Sequence, residues 1–127
     1  MSCFGKRSEE LLVGVHVDLV MVARRAKAIA SLDFIVIEGV RSIIRQKELV
    51  GQGASRTMNS RHLTGHAIDL APWMDGAIPW ENWPAFEEVG LAMKKAASGL
   101  KIPIVWGGDW KNFRDGPHFE LPRVYYP

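Results

Sequence analysis

The sequence predicts an α+β domain in which helices pack on a small, largely antiparallel sheet. Apolar residues recur at helical spacing in two long segments, whereas short β-branched and aromatic runs between them are typical of buried strands. The last two strand candidates follow one another through a hairpin-like loop, which favours antiparallel pairing. With 127 residues and no composition break that would mark a linker, residues 1–127 are expected to form a single catalytic domain.

The first half of the chain is predicted to contain three helical segments and one strand. A short helical turn is expected at residues 8–12, and a longer helix at about residues 17–30, where apolar side chains recur every three or four positions. Residues 34–37 are β-branched or aromatic and too few for a helix, which predicts a buried strand. Residues 41–50 are expected to form a helix that Gly51 ends in the C′ position.

In the second half, Gly65 is expected to turn the chain into a strand at residues 66–71. A helix is predicted at residues 84–97, because it opens with a proline, which suits a first turn, and residues 98–99 would end it. The remaining segments are a polar loop at 51–60, a second loop at 72–80, strands at 102–106 and 117–121, and a surface tail at 122–127. Pro103 indicates that the third strand starts late or lies at an edge.

The composition excludes several classes of function. Hydrophobic residues make up 47% and charged residues 24% of the chain, as in ordinary globular domains. The net charge of +2 is too small to indicate a nucleic-acid partner. Cys3 is the only cysteine, so no intrachain disulfide and no structural zinc site with several cysteines can form. No segment reads as a secretory signal peptide or a membrane span, and we expect no stable membrane insertion.

The run from Ser60 to Asp69 concentrates side chains that bind metals. Imidazole nitrogen and carboxylate oxygen are ordinary zinc ligands. His62 and His66 would share one face of a helix, but Gly65 and the apolar run after it predict a strand instead. Side chains alternate along a strand, which favours His62 with Asp69 as the ligand pair over His62 with His66.

A third ligand is expected from His118, because a catalytic zinc usually has three protein ligands and one open position. Asp115 precedes this histidine by three residues and Glu120 follows it by two. Either carboxylate could act as the general base or as the acceptor that orients the imidazole. Glu120 would share a strand face with His118, whereas Asp115 lies in the preceding loop, where a base can lean over the open position.

Four further residues have side chains that could take part in chemistry. Arg41, just past the first strand, could stabilise an oxyanion, bind a substrate carboxylate, or simply be a surface arginine. Asp109 is a third candidate for the carboxylate role, but its position between a glycine and a tryptophan favours a turn residue that bonds nearby amides. His16 is expected near the start of the first long helix, and Cys3 near the terminus is not expected to be a nucleophile.

With these residues assembled, the sequence resembles the zinc peptidases of the D-Ala-D-Ala carboxypeptidase family, whose fold is shared with the hedgehog signalling domain. It is most similar to the phage endolysin branch, the L-alanyl-D-glutamate peptidases. The pattern SxHxxGxAxD is met at Ser60, His62, Gly65, Ala67 and Asp69, and the element DxxH at Asp115 and His118. The run 38–42, which Gln46 and Leu49 continue in the following helix, and the stretch 106–120 are also family-like. The resemblance therefore covers most of the chain, from about residue 16 to residue 121.

The resemblance implies that His62, Asp69 and His118 bind Zn²⁺. It also implies that Asp115 is the catalytic base and that Arg41 helps to hold the substrate or the transition state. The implied activity is cleavage of peptidoglycan stem peptides at the L-alanyl–D-glutamate bond. We expect a monomer with a peptidoglycan peptide as its partner.

Two rival functions remain open from the sequence. The first is a D-Ala-D-Ala dipeptidase or carboxypeptidase of the same family, which would use the same metal chemistry on another bond. The second is a non-catalytic, zinc-containing wall-binding module. By analogy with phage lysins, the protein is expected to stay in the host cytoplasm until a membrane-opening partner releases it to the cell wall.

Overall fold

The computed structural model describes residues 2–55 and 57–127, so residue 56 of the predicted polar loop lies outside the described residues. Helices and strands are mixed along this part of the chain, as predicted. The helices are α1 (Lys6–Leu11), α2 (Val17–Ile29), α3 (Ile43–Gly51) and α4 (Trp83–Leu100). The strands are β1 (Phe34–Glu38), β2 (Ala67–Pro72), β3 (Val105–Trp106) and β4 (His118–Glu120).

The four strands form one sheet in the order β1-β2-β4-β3, and every neighbouring pair is antiparallel. The register of β1 against β2 shifts between Val36 and Glu38, which brings Glu38 opposite Asp69. Asp69 in turn lies opposite His118 of β4. The irregularity in β1 therefore completes a row of three polar residues across three adjacent strands.

Side-chain alternation separates the core from the site. Ile68, Leu70 and Phe119 are fully buried on one face of the two central strands, in the core that includes residues of α2 and α4. Asp69 and His118, which alternate with them, point to the opposite face. Packing of the sheet on the helices thus fixes which polar side chains stand together on the other side.

The start of α3 differs from the prediction. The helix begins at Ile43, and the hydroxyl of Ser42 caps it by accepting a hydrogen bond from a first-turn N–H at 3.0 Å. The predicted start at residue 41 is therefore wrong, because Arg41 precedes the cap. The helix also includes Gly51, and the left-handed conformation that favours glycine occurs at Gly53, with φ of 74°.

The end of α4 was also predicted too early. The helix continues through residues 98–99 to Leu100, and Lys101 ends it in the left-handed conformation with φ of 58°. Leu100 packs against the core, and this contact offsets the cost of about 1 kcal/mol for a helical glycine. The late start of β3 after Pro103 is confirmed, and β1, β2 and β4 lie within one residue of their predicted bounds.

None of the helices in residues 2–55 and 57–127 combines the length and the apolar character that crossing a membrane would require.

Candidate active site

Three side chains from the two predicted motifs meet at the centre of the sheet's polar face. His62, Asp69 and His118 each offer one ligand atom, and these atoms all lie within 4.8 Å of one another. His62 Nε2 is 3.2 Å from Asp69 Oδ1, and His118 Nδ1 is 3.5 Å from the same oxygen. The structure thus brings together the three residues that the sequence predicted as metal ligands.

The local structure explains how His62 reaches Asp69. His62 lies on a short 3₁₀ helix, Arg61–Thr64, which was not predicted and which the Ser60 hydroxyl caps by accepting from the His62 N–H at 3.2 Å. Gly65 ends this helix with φ of 78°, and a Cβ there would lie 2.5 Å from the Gly14 carbonyl oxygen. Only glycine fits this turn, which folds the 3₁₀ helix back beside β2.

Both histidines are oriented by a second partner. The other ring nitrogen of His62, Nδ1, is 2.9 Å from the Gly39 carbonyl oxygen. His118 Nε2 is 2.7 Å from Glu120 Oε1. Carbonyl and carboxylate oxygens only accept, so these ring nitrogens carry the hydrogens. The nitrogens that face Asp69 are the ones that would coordinate a metal after losing any proton they carry, which is how ligating histidines are usually held.

The charges of the three groups are strongly coupled. Burial alone would raise the pKa of Asp69, but hydrogen bonds from His118 and His62 outweigh it and hold that pKa well below its usual range. Burial opposes the charged form of His118, yet Asp69 and Glu120 raise the pKa of this imidazole to about 9. Without metal, Asp69 and Glu120 therefore stabilise an additional proton on His118, and a bound cation would displace that proton.

The trio opens into a cavity of about 860 Å³, which Arg41, Asp115, Trp80 and Trp110 also line. The Trp110 ring packs 5.1 Å from the His118 ring, measured between centroids. Burial and the charge of Asp69 raise the pKa of Asp115 above its ordinary value, against the opposing effect of His118, His62 and Arg41. A carboxylate with raised proton affinity beside an electrophilic site can act as a general base.

Comparison with known proteins assigns the chain to a family. A sequence profile described as "Phage L-alanyl-D-glutamate peptidase" matches residues 1–122. The chain belongs to the phage L-alanyl-D-glutamate peptidase family. It is 36% identical over 126 residues to the L-alanyl-D-glutamate peptidase of Escherichia phage T5, covering 97% of this chain and 91% of that protein. The predicted family resemblance is thereby confirmed.

Two further relatives agree with this assignment. Peptidoglycan L-alanyl-D-glutamate endopeptidase CwlK of Bacillus subtilis is 33% identical over 110 residues, covering 77% of this chain and 66% of that protein. The crystal structure of Serratia marcescens L-Ala D-Glu endopeptidase ChiX superposes with a TM-score of 0.92 at 45% identity, covering 99% of this chain and 94% of that one. The structural match confirms the predicted α+β fold.

In this family member, Arg41 is tied into a buried network. Its Nε and Nη2 donate to the two carboxylate oxygens of Glu38 at 2.8 and 2.6 Å, and its Nη1 donates to Gln46 Oε1 at 2.7 Å. Its Nη2 also lies 3.7 Å from Asp69 Oδ2. The fully buried Gln46 donates in turn to Ser55 Oγ at 2.8 Å and to a backbone carbonyl. Arg41 thus connects the cavity floor to the loop after α3.

Glu38, Gln46 and Trp110 are functional candidates that sequence reasoning left without a role. All three lie in stretches that resemble the family, which was the available signal. Their contribution depends on contacts between distant segments: the register shift in β1 for Glu38, burial under the loop for Gln46, and a tilted ring contact with His118 for Trp110.

Other candidates lie apart from the trio. His66 Nδ1 contacts the Thr64 hydroxyl at 2.7 Å, and its ring is 5.6 Å from the His16 ring, outside the cavity lining. His16 accepts from the Asp18 N–H at 3.0 Å at the start of α2, where the sequence placed it. Asp109 lies at a turn, as expected, on the short 3₁₀ helix Gly107–Asp109, but its side chain pairs with Lys94 at 2.7 Å on the surface.

Proposed function

We propose that this family member is a zinc-dependent peptidase that cleaves the L-alanyl–D-glutamate bond of peptidoglycan stem peptides. The observation that carries the proposal is the meeting of His62, Asp69 and His118 in a cavity that also contains Asp115. The family assignment and the printed names of the relatives supply the substrate.

The donor set suits zinc. Two imidazole nitrogens and one carboxylate oxygen are a usual combination in catalytic zinc sites, which leave one position open. The second ring nitrogen of each histidine already has an acceptor, Gly39 O for His62 and Glu120 for His118. A zinc ion held here would supply Lewis acidity to the scissile carbonyl and to an attacking water molecule.

The remaining steps belong to side chains of the protein. Asp115 takes a proton from the attacking water and passes it to the amine that leaves with D-glutamate. Its raised pKa increases its affinity for that proton. A guanidinium has five N–H groups and three of those on Arg41 are used, so two remain for the developing oxyanion. Glu38 and Gln46 hold that guanidinium in place.

Digestion of purified murein tests the proposed bond. Mass spectrometry of the products identifies the new amino termini of the murein fragments. Zinc-loaded protein should release fragments that begin with D-glutamate, and protein treated with a chelator should release none. Release of D-alanine would instead support the dipeptidase or carboxypeptidase rival. Bound zinc with no released fragment would support the non-catalytic wall-binding module.

We further propose that the protein acts as a monomer and stays in the host cytoplasm until a membrane-opening partner releases it. The support is the description of the matching family as phage peptidases, because a phage lysin must reach the wall at a defined time. Sedimentation analysis tests the monomer. Fractionation of intact host cells without such a partner tests the location, and finding the protein in the periplasm would contradict it.

A further inference from the structure

In the described part of the chain, three arginines line the cavity, and two of them already bind other groups of the protein. The charge of Arg41 is offset by the bidentate contact with Glu38 and by Asp69 at 3.7 Å. Arg61 is buried, and its Nη2 donates to the carbonyl oxygens of Leu121 and Tyr126 at 3.0 and 2.6 Å. Neither guanidinium offers a fully available positive charge to a ligand.

Arg123 differs from both. It is exposed, and its Nη2 donates to the Asn59 carbonyl oxygen at 2.7 Å. Within residues 2–55 and 57–127, no carboxylate oxygen lies within 4.0 Å of its guanidinium nitrogens. One of its five N–H groups is used, which leaves four. The bond to Asn59 holds the guanidinium at the cavity wall, since both residues line the cavity.

The rest of the cavity is poorly suited to a negatively charged ligand. Glu38, Asp69, Asp115 and Glu120 all line it. In the stem peptide, D-glutamate is linked through its side chain, so its α-carboxylate is free, and a diamino dicarboxylic acid in the next position carries a second free carboxylate. Both charges lie on the D-glutamate side of the scissile bond. Binding them among these acidic groups requires a cation, and arginine is well matched to carboxylates.

We propose that Arg123 binds a carboxylate of the stem peptide on the D-glutamate side of the scissile bond and so determines substrate specificity. This inference rests on the proposed function. It also fixes the direction of the substrate, because Arg123 follows β4 along the chain beyond His118 and Glu120. The D-glutamate side then lies toward the C-terminal end of β4, and the L-alanine side toward its N-terminal end.

Kinetics with three synthetic muramoyl peptides test the proposal. The first has both carboxylates free, the second has the D-glutamate α-carboxylate amidated, and the third has the diamino acid carboxylate amidated. Arg123→Met should raise KM for the first peptide about tenfold and leave kcat nearly unchanged, because the lost contact is a charged hydrogen bond remote from the reacting atoms. Arg123→Lys should recover part of the loss.

Arg45→Met is the matched control, since Arg45 is exposed, pairs with Glu48 at 3.3 Å and does not line the cavity. Its KM should match that of the native protein. Thermal unfolding of each variant identifies any loss of folding.

The comparison of variants and peptides locates the carboxylate. Amidating the contacted carboxylate should raise KM for the native protein as much as Arg123→Met does. The variant acting on the amidated peptide should have a KM no higher than that produced by either change alone. If Arg123→Met and the second peptide have non-additive effects on KM, Arg123 binds the D-glutamate carboxylate. If the non-additive effect occurs with the third peptide, Arg123 binds the carboxylate of the diamino acid. Full additivity with both peptides overturns the inference.

Failure of the proposed function can be distinguished from failure of the inference about Arg123. If the native protein cleaves none of the peptides, that function is wrong. Calorimetry with the first peptide then decides the inference alone: equal affinity of the native protein and Arg123→Met overturns it, and about tenfold weaker binding by the variant supports it.

Discussion

His118 and Glu120 are bonded through the ring nitrogen that faces away from Asp69, with 2.7 Å between Nε2 and Oε1. This bond fixes the imidazole so that Nδ1 points toward Asp69. Glu120→Ala should therefore weaken zinc binding about 10–100-fold, the usual cost of losing such a partner. Competition with a chelator measures the affinity, and Glu87→Ala on the exposed face of α4 is the control. Native affinity in Glu120→Ala would show that the bond does not orient the ligand.

Asp115→Asn should retain zinc and lose activity. The amide cannot accept the proton of the attacking water, and loss of a general base typically slows a reaction by about 10²–10⁴-fold. A murein turbidity assay measures the rate, and metal analysis of the same sample measures bound zinc. Asp109→Asn is the control, because Asp109 is a surface partner of Lys94. Lysis at the native rate by Asp115→Asn would mean that the base lies elsewhere.

His66→Ala should leave zinc affinity unchanged, whereas His62→Ala should abolish tight binding. The two histidines are four residues apart, but only His62 has a ring nitrogen near Asp69, and His66 contacts Thr64 instead. Zinc titration of both variants is the measurement. Loss of zinc in His66→Ala would show that His66 is a metal ligand, which would overturn the assignment of Asp69 to that role.

The metal-free protein should lose stability at alkaline pH. The pKa of His118 is raised to about 9 in the folded state, above the ordinary value of about 6.5. Its contribution is therefore complete below pH 6.5 and is lost as the pH rises through 9. One pKa unit is worth about 1.4 kcal/mol, so the free energy of unfolding should fall by up to about 3 kcal/mol.

Urea unfolding at pH 6.5 and 9.5, after treatment with a chelator, measures this fall. His118→Asn should show less dependence on pH, because the coupled imidazole is gone. An equal fall in both proteins would assign the effect to other groups.

Gly65→Ala should destabilise the protein more than Gly53→Ala. Both glycines have positive φ, 78° and 74°, so each alanine incurs the left-handed penalty of about 1 kcal/mol. A Cβ at Gly65 would also lie 2.5 Å from the Gly14 carbonyl oxygen, whereas no atom of the described residues lies within 4 Å of a Cβ at Gly53. The additional overpacking should cost about 1–3 kcal/mol. Urea unfolding of the two variants compares them directly, and equal losses would exclude the steric contribution.

The sequence predicted the features that depend on local periodicity. Alternation through Ile68, Asp69 and Leu70 separates core from polar face, and a glycine before an apolar run marks the turn into a strand. These two patterns were enough to place Asp69, not His66, beside His62. The antiparallel sheet followed from the short connection between the last two strands.

What the sequence did not predict depends on contacts between distant segments. The shift in β1 that sets Glu38 opposite Asp69 has no signature in the run from residue 34 to residue 38. The start of α3 was missed because its cap, Ser42, follows a residue that also suits a helix. The role of Gln46 emerges only when the loop after α3 folds over it.

Asp69 and His118 are direct partners on the two central strands, and each of these strands is paired on both sides. Loop motion can admit or release substrate without changing the distance between these ligands. Separating them requires the centre of the sheet to open, which belongs to the slowest and most costly class of native-state fluctuations. A metal ion held between them would therefore keep the spacing of its ligands on β2 and β4 while the loops around the cavity move.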